Sequence, residues 1–151
     1  MTVQALETDY LVVGAGATGM AFSDEILTQD PSARIVLVDQ HARPGGHWND
    51  AYSFVSLHQP AAYYGVNSEK LGSGGAALAS GTEVLAYYER VLRKLLASGR
   101  LQHFPMCEYR GEGEFRSLVE PEQRYRVSVH KMVVDATYMK VQDPSTRPPK
   151  Y

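Results

Sequence analysis

The sequence predicts an α/β domain built on a parallel sheet, and three observations carry that prediction. A β-branched run, Leu11-Val12-Val13, leads straight into Gly14-Ala15-Gly16-Ala17-Thr18-Gly19 and a helical segment. A second apolar run, Ile35-Val36-Leu37-Val38, follows within about 30 residues, the spacing of a βαβ unit. Late in the chain the pattern changes to short alternating segments, which read as an antiparallel meander over 105–134.

In chain order, residues 11–13 read as a buried strand because both faces must be apolar in a parallel sheet. A helix is expected from Ala17 to Gln29, with Met20, Ile26 and Leu27 toward the core and Asp30-Pro31 as its stop. Residues 35–38 form the second strand, ending at Asp39. Gln40 to Gly81 is turn-rich, with Arg43-Pro44-Gly45-Gly46 and the flexible run 72–81. A second helix is expected from Glu83 to Ser98, with Thr82 as N-cap, Gly99 as C′, and Leu85, Tyr88, Leu92, Leu95 and Leu96 at helical spacing. Leu101–Phe104 reads as a third parallel strand, giving the 3-2-1 half of a doubly wound sheet. Gly111 and Gly113 mark a turn, and 124–129 and 132–136 read as two further strands. The end, DPSTRPPKY, reads as irregular.

Composition narrows the function. The chain has 151 residues, 44% of them hydrophobic and 21% charged, the range of one ordinary globular domain. A formal charge of −2 argues against a nucleic-acid partner and against a polybasic membrane surface. Cys107 is the single cysteine, so no disulfide framework or four-cysteine zinc site is possible. A reducing, cytoplasmic location follows as the expectation. Its thiol reads as a packed small side chain. The histidines show no HExxH and no i, i+4 pair, so no metal site is expected, and there is no GxSxG nucleophile elbow.

The chemistry lies in the glycine motif. Gly14 permits a tight turn, Gly16 lets a diphosphate approach the backbone, and Gly19 lets the helix pack against the strand. The amides of Ala17, Thr18 and Gly19 open the helix, where a partial positive charge favours an anion. Asp39, at the end of the second strand, can accept from adenosine ribose hydroxyls and would repel a 2′-phosphate. NAD and FAD share this fingerprint.

The segment Gln40-His41-Ala42-Arg43-Pro44-Gly45-Gly46-His47-Trp48 is where the sequence resembles the two-dinucleotide-binding flavoproteins. It is most similar to the flavin-containing and Baeyer–Villiger monooxygenase group, in which an acid is followed by Gly-Gly-x-Trp running under the flavin. The resemblance implies a Rossmann-like FAD/NAD(P)-binding domain. It adds Gln40, Gly46, His47 and Trp48 to the FAD-binding residues, and His58 and Gln59 in Ser56-Leu57-His58-Gln59-Pro60 as a segment near the isoalloxazine ring. Asp135-Ala136-Thr137 falls where the group has Ala-Thr-Gly, with Tyr138 in place of the glycine.

In that group an NADPH domain with its own GxGxxG interrupts the FAD domain, and no second fingerprint follows Gly19 here. The expectation is therefore a single FAD-binding domain over 1–151, the N-terminal part of a larger flavin-dependent oxidoreductase that uses NADPH as reductant. Its small-molecule substrate is not specified, catalytic residues are not assigned, and surface left by absent segments favours self-association. Two other classes stay open. One is a nucleotide-binding module without turnover. The other is an NAD-dependent dehydrogenase, for which no Tyr-x-x-x-Lys or His/Asp pair is offered.

Overall fold

The computed structural model describes residues 2–139 and 142–150. The elements run β1 (Thr2–Val13), α1 (Ala17–Gln29), β2 (Ile35–Val38), β3 (Gly65–Val66), β4 (Glu69–Lys70), α2 (Gly81–Ala97), β5 (Leu101–Phe104), β6 (Cys107–Gly111), β7 (Glu114–Ser117) and β8 (Gln123–Asp135). Short 3-10 turns occupy Gly46–Asn49 and Ala61–Tyr63.

Six strands form one sheet in the order β5-β2-β1-β8-β7-β6. The first three are parallel, with Val12 opposite Leu37 and Leu37 opposite His103, as the βαβ reading requires. β8 continues the parallel set on the other side of β1, then turns antiparallel against β7, and β7 against β6. The meander is thus part of the main sheet. The β6–β7 turn has Glu112 and Gly113 both at positive φ, 51° and 79°, the geometry of a tight hairpin.

Alternate residues of the parallel strands feed two apolar clusters. Val12, Ile35 and Leu37 pack with Met20 and Leu27 of α1 and with Val84, Tyr88, Val91 and Leu95 of α2. On the opposite face Leu11, Val36 and Val38 meet Cys107, Phe115, Tyr125 and Val127 of the meander. Phe115 stacks on Tyr125 with centroids 4.5 Å apart, and Phe104 meets each ring edge-on at 5.0 Å.

Several expectations are corrected. β1 begins at Thr2, not Leu11: its polar first half is ordered by pairing with β8 from Thr2–Gln123 to Thr8–Val129. The two strands expected over 124–136 are one strand, continuous because β1 supplies a partner along its length, with a register shift between Thr8 and Tyr10. The N-cap of α2 is Ser80, not Thr82: its hydroxyl accepts from the Glu83 amide while the Glu83 carboxylate accepts from the Ser80 amide, a capping box. Leu96 points outward, 40% exposed, and Tyr87 takes the inner position instead, 1% exposed. Gly99 sits past the helix end at φ +70°, as expected of C′.

Two polar links fix the long loop to the helices. Asp24, buried on α1, accepts from the backbone amide of Ser68 at 3.1 Å and from its hydroxyl. The Tyr87 hydroxyl accepts from the Val66 amide at 2.7 Å and donates to the Glu69 carbonyl at 2.6 Å. Replacing Tyr87 by Phe leaves a buried donor and an acceptor unsatisfied. Tyr87→Phe is expected to lower unfolding free energy by about 1–3 kcal/mol, measured by urea denaturation.

Candidate nucleotide site

Three backbone turns converge at the start of α1. Gly14, at φ +105°, receives a carbonyl acceptor from the next strand, Gly14 N–H to Val38 C=O at 2.8 Å. Gly19 lies under this turn so closely that a Cβ there would sit 1.8 Å from the Gly14 carbonyl oxygen. That is the helix-to-strand packing the motif was expected to provide. The second turn, Gly45-Gly46, rests on the first: the Gly45 amide donates to the Ala15 carbonyl at 2.9 Å, and a Cβ on Gly46 would lie 2.9 Å from the Gly16 Cα. Both Gly45 and Gly46 have positive φ, 121° and 56°. The third, Ala136-Thr137, follows β8: Ala136 N–H donates to the Val13 carbonyl at 2.8 Å, and the Thr137 methyl lies 3.0 Å from a Cβ built on Gly14.

The absence of a side chain at Gly16 therefore serves a second purpose that the sequence did not reveal, the seating of Gly46. Gly14, Ala15 and Gly19 are buried beneath the turn, Gly16 and Ala17 are half-buried, and Thr18 is exposed. Among the described residues no side chain caps the start of α1, and its first turn holds no acid. The amides there are presented without a protein anion.

Asp39 closes the site from β2. It is 7% exposed, and its Oδ2 accepts from the Ala15 amide at 2.6 Å, joining the ends of β1 and β2. Its Oδ1 accepts from the His41 amide at 2.7 Å and from His41 Nδ1 at 2.9 Å. His41 Nε2 in turn faces Asp50 Oδ2 at 2.9 Å. Burial disfavours the charged imidazole, but bonding to Asp50 and the field of Asp39 outweigh it, so the His41 pKa is raised.

A cavity of about 520 Å³ opens at the carboxyl ends of the parallel strands. Its walls are Val13 and Gly14, Val38 to His41, Cys107 and Tyr109 of β6, Val133 and Asp135 of β8, and Thr137. Ligands of open α/β sheets bind outside this edge. Of the residues expected at the site, Gly14, Asp39 and Gln40 line the cavity, while Gly16, Ala17, Thr18, Gly19 and Gly46 form the adjoining turns.

The others lie elsewhere. Trp48 is 8% exposed in the α-side core, its indole N–H donating to Tyr64 Oη at 2.9 Å, so its ring is a packing group. His47 is exposed and stacks on Trp48. His58 is exposed and Gln59 half-buried, on a loop pinned to 77–81 through Leu57 N–H to Ala79 C=O and Ala61 N–H to Ala77 C=O. None of these four lines the cavity. Residues the sequence reading left out are His41, Asp50, Cys107 and Tyr109. Cys107 is buried, and burial raises its thiol pKa, which suits a wall residue and not a nucleophile.

Among the described residues no group of three or more His, Cys, Asp or Glu gathers to hold a metal ion, and no helix is long and apolar enough to cross a membrane.

The contact between the two glycine turns is testable. Gly46→Ala drives a methyl against the Gly16 backbone and is expected to cost about 1–3 kcal/mol, visible as a lower Tm in thermal melts. Gly19→Ala, with backbone in the way at 1.8 Å, should be the more severe change.

Comparison with known proteins agrees with this architecture. Uncharacterized proteins of Mycobacterium tuberculosis and Mycobacterium bovis are each 49% identical to it over 159 residues, covering 98% of this chain and 29% of theirs. The chain thus spans less than a third of the length of the curated relatives it matches. Among solved structures, a flavin-containing monooxygenase from Stenotrophomonas maltophilia aligns with TM-score 0.63 at 20% identity, covering 87% of this chain and 38% of that one. A polycyclic ketone monooxygenase from Thermothelomyces thermophila gives 0.66 at 17%, covering 89% and 23%. A bacillithiol disulfide reductase from Bacillus cereus gives 0.61 at 15%, covering 85% and 39%. At these identities the likeness is one of fold. The model of the NAD(P)-binding Rossmann-like domain matches residues 12–90, more than half of the sequence, and the chain belongs to that family.

Proposed function

We propose that the chain is the FAD-binding portion of a flavin-dependent oxidoreductase of monooxygenase type. The observation that carries this reading is the meeting of two glycine turns and the Ala136-Thr137 turn around an uncapped helix start, next to a cavity bounded by a buried carboxylate. A nucleotide held at one glycine turn would not require the second. The name of one structurally similar protein, a flavin-containing monooxygenase, supports flavin as the cofactor, and the other two are named as oxidoreductases, a ketone monooxygenase and a disulfide reductase.

In this reading the amides from Gly16 to Gly19 face the diphosphate, where the dipole of α1 favours negative charge. Asp39 accepts from the adenosine ribose hydroxyls, with Ala15 N–H holding the carboxylate in place. The cavity between the β2 end and the wall of Cys107 and Tyr109 would take the adenine side of the ligand. The second turn, through Gly46, supports the path of the ligand toward its ring system. Bound flavin supplies the two-electron chemistry, and the protein supplies position and exclusion of water. NADPH as reductant and an oxygenated substrate are part of the same proposal and concern a longer protein, since this chain matches 29% of the length of its curated relatives.

Absorbance of the purified protein, with chromatography of what heat releases, identifies the bound group. Asp39→Ala should weaken FAD binding by at least about tenfold, equivalent to 1.4 kcal/mol, and Gly16→Val should abolish it, since a side chain there meets both Gly46 and the ligand. FAD titration giving parental affinity for both variants would remove this assignment. With added FAD, residues 1–151 are expected to consume NADPH slowly and to release peroxide without oxygenating a thioether or ketone, because the groups expected beside the flavin ring, His47, Trp48, His58 and Gln59, do not line the cavity and oxygen transfer requires water to be excluded.

A further inference from the structure

His41 is held by a carboxylate at each ring nitrogen. Nδ1 lies 2.9 Å from Asp39 Oδ1, and Nε2 lies 2.9 Å from Asp50 Oδ2. Carboxylates only accept, so both contacts are hydrogen bonds only when both ring nitrogens carry hydrogen, the imidazolium form. Neutral histidine can satisfy one of them and sets a lone pair against the other. The two acids belong to different parts of the site. Asp39 directly follows β2 and fixes the first glycine turn through Ala15, while Asp50 directly follows the 3-10 turn Gly46–Asn49 that begins in the second glycine turn. His41 is the side chain that joins them.

We infer that His41 acts as a protonated positioning residue, coupling Asp39 to the seat of the second glycine turn, so that binding of an adenine-dinucleotide diphosphate by this chain weakens as the imidazolium is lost. The inference rests on the nucleotide reading above. Two effects act in the same direction. Loss of the proton releases the Asp50 end, and with it one restraint on the backbone that touches Gly16. It also removes a positive charge from between two carboxylates, leaving a more negative wall for an anionic ligand.

His41 has several ionisable neighbours. Asp39 and Asp50 face it directly, and Cys107 and Tyr109 of β6 and Asp135 of β8 share its cavity. Burial raises the Cys107 thiol and keeps it neutral. His103 on β5 feels the field of Asp39, but burial dominates and lowers its pKa, keeping it neutral near pH 7. The His41 pKa is raised in the folded chain. Its contribution is therefore complete below the ordinary histidine value and disappears as pH rises through the raised one. His41 is about a third exposed, so solvent screening moderates the effect.

The test is FAD affinity by fluorescence titration from pH 6 to 9, a range in which the FAD diphosphate does not titrate. The native chain should bind about three- to tenfold more weakly at the alkaline end. His41→Gln should bind more weakly at pH 6 with the pH dependence gone. His41→Arg, which keeps a cation with donors at both ends, should retain binding at pH 9, a rescue that mere packing at this position would not give. Imidazole ¹⁵N spectra of the free protein provide a readout independent of flavin: His41 should show both nitrogens protonated at pH 6, and Asp50→Asn should lower its midpoint. Equal pH slopes in the native chain and His41→Gln, or a ring that titrates below the ordinary histidine value, would overturn the inference and leave the flavin reading standing. Failure to bind FAD at every pH, with His41 titrating as described, would instead overturn the flavin reading and with it the coupling.

Discussion

The structure depends on one buried hydrogen bond, from the Ala15 amide to the carboxylate of Asp39 at 2.6 Å. It ties the ends of two adjacent parallel strands at the point where the chain must leave the sheet and start a helix. An acid this deeply buried is stable only when its oxygens are satisfied, and here three N–H groups do so, from Ala15, His41 main chain and His41 ring. The same carboxylate is thereby oriented toward the cavity at the strand ends. In the proposed function the element that closes the βαβ unit also supplies the carboxylate that would meet the ribose.

Around that bond the packing leaves little freedom. Gly14, Gly16, Gly19 and Gly46 occupy positions where added Cβ atoms would meet backbone, so the two turns and the helix approach each other at main-chain distance. Close main-chain approach concentrates amide dipoles at this corner, and the proposed diphosphate would meet them beside a cavity that has no lysine or arginine among its described lining residues. The long loop over 40–81 makes no extended sheet of its own. It is held by point contacts: Asp24 to Ser68, Tyr87 to Val66 and Glu69, and Trp48 to Tyr64. Each links a polar atom buried beneath the loop to one of the helices or to the core, so the second glycine turn inherits the rigidity of α1 and α2.

Much of this was legible in the residues. The glycine motif between two β-branched runs, with an acid at the end of the second, determined the parallel βαβ unit, because only a tight turn and a short crossover fit that spacing. The helical spacing of Leu85, Tyr88, Leu92 and Leu95 and the glycine at 99 determined α2 to within two residues. The alternation after residue 105 determined a meander with a hairpin at Glu112-Gly113. These are local patterns, carried by side-chain period and by backbone conformations that few residues tolerate.

What only the tertiary structure decided depends on partners far along the chain. Thr2 to Thr8 is too polar to declare itself a strand, and it is one because β8 lies beside it. Trp48 follows Gly-Gly as a ligand-facing residue would, yet the hydrophobic gain of burying an indole with Tyr64 as hydrogen-bond partner draws it into the core. Gly16 is matched to Gly46 by contact across 30 positions, which no spacing rule encodes. His41 lies between Asp39 and Asp50 only because the 3-10 turn folds the chain back on itself. Sequence period determined the scaffold, since a strand or helix needs only its own side chains to declare which face is apolar. The site was decided in three dimensions, since hydrogen-bond partners and backbone contacts are set by where the turns bring them.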